Sequence, residues 1–341
     1  MVNKNILWIT TVLLVLALAL GACTTQPAAT EPVVEQPAEQ AQAPVAEEAA
    51  AEKIVIGYSA PNAGWPYIAA FINALEAAAA ADDSVELIVL SADGDIAKQS
   101  SDFDNLIAQG VDVILVCSLD GSAIVPSLKA ASDAGIPVLA VSNEPSEEGQ
   151  QYIVGFSGPD DYVQGRIAAE LMADALGGKG NIVVIEGTPG QSTTALRNQG
   201  FADQTAEAGY EFTILASQTS NWDPVQAKSV MEDFITAYGD QINGVFSQDD
   251  NTAAAAAEVL KEKGLLEKIA VVGTGGSKNG TQAIRDGLLY GTMDQSPTTD
   301  ANQALGFAKL IASGGELPER RNIIPMPKIT IENADQFPGE W

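Results

Sequence analysis

The chain contains no histidine, and that absence removes most of the common chemistry available near neutral pH. Imidazole is the usual general base and metal ligand in that range. Neither a Ser-His-Asp nor a Cys-His catalytic pair can be built without it, nor can a His-bearing zinc site. Cysteine is scarce as well: Cys23 and Cys117 are the only two, too few for a Cys-only zinc site. Positive charge is the third shortage. The 17 Lys and Arg residues face 45 Asp and Glu, a formal net charge of -28. Such a surface repels phosphate backbones and anionic headgroups, which argues against nucleic acid and against electrostatic membrane binding. No cofactor and no metal is expected. An enzyme built on carboxylates alone survives these exclusions, although no G-x-S-x-G elbow is present to support it.

What is present begins with an export signal. Lys4 supplies a short basic region, and Ile6 to Leu20 form an apolar run too short to span a membrane comfortably. The run ends Leu20-Gly21-Ala22-Cys23, which resembles the bacterial lipobox, so residues 1–22 read as a cleaved signal and Cys23 as a lipidation site. The expected location is therefore outside the cell's inner compartment, anchored by lipid at the cell membrane. Residues 24–52 are rich in Ala, Pro, Glu and Gln, with no aromatic side chain to seed a core. They read as a disordered tether, the anchored segment being 23–52.

From Lys53 onward, β-rich apolar runs alternate with segments of helical period. Ile54–Ile56, Leu87–Leu90, Val113–Val116 and Val138–Val141 are separated by helices predicted near 67–80, 97–109 and 123–134. The pattern restarts with a helix near 162–176 and strands at 182–185, 212–215, 244–246 and 269–272, with helices between them. Alternation of this kind predicts an α/β fold of two doubly wound parallel-sheet lobes. In such sheets ligands lie beyond the carboxyl ends of the strands, so candidate residues should directly follow each apolar run.

Trp65 and Tyr67 follow the first strand and flank Pro66, a favourable first helical residue. Ser142 and Asn143 follow the fourth, as hydroxyl-binding groups or as a turn. Trp222 lies on a later strand-to-helix connection, and Gln295 follows the run Leu289–Met293. After Phe246 comes Gln248-Asp249-Asp250; here Asp250 is assigned to capping the next helix and Asp249 to the cleft. The loop Gly187–Thr194 lacks the Gly-Lys-Ser/Thr ending of a phosphate loop, and Lys278 stands where G-x-G-x-x-G needs its last glycine. Both are read as tight turns. Cys117, at the end of an apolar run, reads as a buried inert thiol.

Trp65-Pro66-Tyr67, Gly135-Ile136-Pro137-Val138, Arg197 with Gly200-Phe201, Val245–Asp250, Ala270–Gly273 and Gln295, in this order, resemble the ribose-binding-protein-like group of periplasmic sugar-binding proteins. The resemblance implies the type 1 periplasmic binding fold, with two lobes joined by a three-segment hinge. The lobes would be 53–157 plus 297–324 and 158–296 plus 325–341. It further implies that Trp65, Tyr67 and Trp222 stack on a ligand while Ser142, Asn143, Asp249 and Gln295 surround it with polar groups. The family's acidic-arginine pair falls on Ser142 and Asn143, a second arginine on Ala195 and an aspartate on Gly275, so those charged grips are missing here. Arg197 is expected to be structural, leaving no basic residue in the pocket. The implied function is the substrate-binding component of an ABC-type importer for a neutral monosaccharide or polyol, monomeric and partnered by membrane permease subunits. A ligand-sensing receptor module on the same fold is the alternative. A DNA-binding repressor is disfavoured by the export signal.

Overall fold

The computed structural model describes residues 53–341, so the signal segment, Cys23 and the tether lie outside the described residues. Two six-stranded sheets organise the rest. The first runs in the order β11 (Arg321–Ile323), β5 (Gly155–Gly158), β4 (Val138–Val141), β3 (Val113–Val116), β1 (Ile54–Ala60), β2 (Val85–Ser91), all parallel. The second runs β12 (Lys328–Thr330), β10 (Gly291–Met293), β9 (Ala270–Val272), β8 (Gly244–Ser247), β6 (Lys179–Glu186), β7 (Glu211–Thr219), parallel except for the β10–β12 pair.

Successive residues of a central strand feed opposite cores, as the two-residue period requires. Val113 and Leu115 pack with α1 (Pro66–Ala80) and α9 (Pro297–Ala312), while Ile114 and Val116 pack with α2 (Ile96–Gln109) and α3 (Val125–Asp133). The second sheet is covered in the same way. α4 (Asp161–Leu176) and α5 (Ser192–Glu207) lie on one face; α6 (Pro224–Tyr238), α7 (Asp250–Glu262) and α8 (Lys278–Arg285) lie on the other. Burial on both faces explains why β3 and β4 are apolar throughout, whereas edge strands β2 and β7 are partly exposed.

The chain passes between the sheets three times: after β5, after β10 and between β11 and β12. Strands β5, β11 and β12 were not anticipated. Each is three or four residues long, and β5 is Gly-Phe-Ser-Gly, without a β-branched side chain to mark it.

Candidate functional site

Three helices begin with proline one or two residues after a candidate: α1 after Trp65, α6 after Trp222-Asp223, α9 after Gln295-Ser296. Proline at the first helical position loses no hydrogen bond and fixes where the helix starts, so the preceding side chains are held at the strand ends. Those ends face one another. Trp65, Tyr67, Ser142, Asn143, Trp222, Asp249 and Gln295 all line a single cavity between the sheets. The same cavity is lined by Cys117, Gln191, Thr193, Arg197, Thr274 and Trp341, which the sequence reading did not place there.

The two halves also touch each other directly. The Gly121 amide donates to the Gly190 carbonyl at 3.2 Å, and the Glu144 amide to Ser192 Oγ at 3.0 Å. Gly190 has φ 89°, a backbone that side chains rarely adopt, and a Cβ there would have to displace the Asp120 carboxylate, 2.2 Å away.

Trp222 has φ 62° and Asn221 before it φ 52°. Left-handed backbone is rare for a bulky residue and persists only where surroundings over-determine it. Here the indole lies against the Gly187 backbone, its Nε1 donates to Gln191 Oε1 at 2.7 Å, and the Arg197 guanidinium carbon sits 5.9 Å from the ring centre. On the opposite wall the Tyr67 hydroxyl donates to Asp300 Oδ2 at 2.7 Å, and Ser142 Oγ donates to the same oxygen at 2.8 Å. Asp300 is fully buried on α9, so one carboxylate behind the wall fixes two wall residues. Burial raises its pKa to about 7 against the lowering effect of those two donors, and burial with the Asp300 charge pushes the Tyr67 phenol well up. Asn143 spends its amide on structure: it accepts from the Ser118 amide and donates to the Ser118 carbonyl, both at 2.8 Å.

Two expectations are corrected here. Asp249, not Asp250, caps α7, accepting from the Thr252 amide at 3.0 Å, and the same carboxylate lines the cavity. Asp250 is fully buried behind it, holding Thr292 Oγ1 at 2.6 Å and the Ser277 amide at 2.8 Å. The physical reason is the strand end: β8 stops at Ser247, and the extended backbone at Asp249 (φ -149°) is the one that turns into the helix. Burial raises Asp249 to about 6.

Arg197 is the second. It was expected to be structural only, but it lines the cavity while remaining 5% exposed. Its guanidinium meets Asp161 at 3.1 Å, donates to Gln164 Oε1 at 2.7 Å and Gln295 Oε1 at 3.1 Å, and also donates to the Gln248 carbonyl. Five donors in a planar fork are thereby largely satisfied, and its charge is matched by Asp161. Cys117 is buried, and burial pushes its thiol pKa well up, so it is a poor nucleophile.

Taken together, the cavity offers aromatic faces from both halves, a ring of hydroxyl and amide groups, one carboxylate and one already compensated cation. Residues 56–316 match the periplasmic binding protein domain. The chain is similar to a xylitol-binding protein of Mycolicibacterium smegmatis, 35% identical over 253 residues that cover 74% of this chain and 71% of that one. It is also similar to the ribose import binding protein of Bacillus subtilis, 30% identical over 72% of this chain and 77% of that protein. Among solved structures, an ABC transporter solute-binding protein from Mycobacterium smegmatis with bound glycerol superposes at a TM-score of 0.77 and 28% identity, covering 84% of this chain and 97% of that one. A two-sheet architecture with a cavity at facing strand ends, matched over most of its length by these proteins, makes this chain a member of the periplasmic binding protein family.

Proposed function

We propose that the chain is the substrate-binding lipoprotein of an ABC-type importer, taking a neutral monosaccharide or polyol into the cleft by closure of its two lobes. One observation carries this reading: aromatic and polar side chains from both sheets converge on one cavity whose only cation among the described residues, Arg197, is already paired. Members of this family are substrate-binding proteins, not enzymes, and membership implies an exported protein. The lipid anchor at Cys23, the monomeric state and engagement of permease subunits are parts of the proposal.

Trp222 and the Trp65–Tyr67 pair would meet the apolar C–H faces of the ligand, and Asp249, Gln295, Ser142 and the amide proton that Asn143 does not give to Ser118 its hydroxyls. A micromolar complex needs about 8 kcal/mol net. Hydrogen bonds to a charged acceptor contribute about 1.5–3 kcal/mol each, so two hydroxyls on Asp249 would supply close to half. Burial of apolar ligand area against the indoles, at about 25 cal/mol per Å², adds most of the remainder. The three chain crossings between the sheets would act as the hinge. Because the walls belong to opposite lobes, the complete contact set exists only when they are closed, and a ligand gains affinity from that difference.

The relatives named for xylitol and ribose, and the structure holding glycerol, support a small polyhydroxyl ligand. A thermal-shift screen against pentoses, hexoses, inositols and acyclic polyols tests the reading, since a ligand that binds only the folded form raises its melting temperature. A shift with a neutral member of the panel is expected. No shift with any of them, together with one from an anionic or amino-acid ligand, would refute it.

A further inference from the structure

The segment 337–341 is held against the starts of α8 and α9, with Trp341 in the cavity wall. Gly339 has φ 72°, and a Cβ there would fall 2.5 Å from the Lys278 amide nitrogen, so the backbone lies directly on the start of α8. Glu340 accepts from Ser296 Oγ at 2.8 Å and from the Thr298 amide at 3.1 Å, which ties the segment to the start of α9. The Trp341 carbonyl accepts from the Lys278 amide at 2.7 Å, and its indole Nε1 donates to the Gly275 carbonyl at 3.3 Å.

These anchors aim one side chain. The Trp341 ring covers Gly275, where a Cβ would come within 2.6 Å of it, and meets the Tyr67 ring edge-on, centres 5.5 Å apart. Gly275 follows β9 of the second sheet and Tyr67 opens α1 of the first, so the indole reaches from one lobe to the other. It also lines the same cavity as Trp222 and Asp249. Gly275 is glycine for two reasons that agree: its φ is 124°, and the ring occupies the place of any side chain.

We infer that Trp341 is a specificity-determining wall of the ligand site, which limits the cavity to compact polyhydroxyl ligands by filling the space over Gly275. The inference rests on the proposed function and adds the size class to it. An indole there contributes apolar contact to a small ligand and excludes a larger one sterically, so its removal affects the two oppositely. A role confined to holding the fold would change stability but not the ranking of ligands.

The test is calorimetric titration of wild type, Trp341→Ala and Trp341→Phe with xylitol and D-ribose as compact probes and D-allose and myo-inositol as bulkier ones. For Trp341→Ala, the expected result is at least a tenfold loss for the compact probe that wild type binds best. The bulkier probes should lose less or gain, so that the preference narrows. Trp341→Phe, which keeps an aromatic wall, is expected to stay within about threefold of wild type. Gly339→Val displaces the segment without altering Trp341 and should reproduce the Ala phenotype. If wild type binds a probe and all three variants keep its affinity and ranking, this inference is overturned while the proposed function stands. If wild type binds neither these probes nor any other neutral sugar or polyol of the thermal-shift panel, the proposed function falls and this inference with it.

Discussion

The Trp222 indole packs so closely on Gly187 that a Cβ added to that glycine would lie 1.9 Å from a ring carbon. The glycine is therefore part of how the tryptophan is aimed. Gly187→Ala should displace the indole and weaken ligand binding about as much as Trp222→Ala does, tenfold or more. In the double variant the two losses should not add, because both act through one side chain. A double-mutant cycle by titration calorimetry measures this; additive losses would mean that Gly187 acts on the ligand separately.

Asp249 has two roles that one substitution can separate. As a helix cap, Asn replaces Asp at little cost, whereas Ala loses about 1 kcal/mol. As a hydroxyl acceptor in the cavity, Asn lacks the charge. Asp249→Asn should thus keep urea stability within about 0.5 kcal/mol of wild type yet lose at least tenfold in affinity. Asp249→Ala should lose both.

Stability should fall as pH rises from about 5 to about 8. Burial raises Asp161 and Asp249 to about 6 and Asp250 and Asp300 to about 7, above the ordinary carboxyl range. A folded state that holds these protons more tightly than the unfolded chain is favoured while they are bound, and loses that advantage as pH passes through 6 to 7. The net charge of -28 acts in the same direction through self-repulsion. Asp82, held at about 2 by hydrogen bonds from Lys309 and Ser84, acts oppositely but only at lower pH, outside this window. Melting temperature across the range checks the trend. Asp300→Asn, which retains acceptors for Tyr67 and Ser142, should flatten it; an unchanged slope would show that Asp300 does not titrate there.

The buried Arg197–Asp161 pair sets the electrostatic character of the cavity. Breaking such a pair by removing one partner typically costs about 3–5 kcal/mol. Asp161→Ala should therefore be strongly destabilised in urea melts. Asp161→Asn, which keeps one acceptor oxygen for Arg197 and can donate its amide to the Thr193 hydroxyl, should fold with a smaller loss and leave the cation uncompensated. Its affinity for an aldonic acid relative to the parent neutral sugar should rise, as competition measurements would reveal.

Much of the fold was legible because its strands are buried on both faces and so read as continuous apolar runs: β3 is Val-Ile-Leu-Val and β4 Val-Leu-Ala-Val. The strand-end rule and the family resemblance together pointed to seven residues, and the chain brings all seven to one cavity. What escaped depends on tertiary context. Strands β5, β11 and β12 are held by neighbours rather than by their own composition. Which of two adjacent aspartates caps α7 turned on where β8 ends, a matter of one residue. Arg197 could be matched to a helix position but not placed beside Trp222, since the residues are paired through folding alone. Trp341 lies beyond the last predicted element, with no apolar period around it. Its one local signal was Gly339 just before it, which is uninformative until the Lys278 backbone is seen against it.

Titration calorimetry of wild type and Trp222→Ala, with whichever neutral sugar or polyol gives the largest thermal shift, tests the central claim most directly. Saturable one-to-one binding by wild type is expected, with the ligand recovered chemically unchanged and an affinity at least tenfold weaker in the variant. Equal affinity in the two proteins would place the ligand away from the cleft and contradict the account.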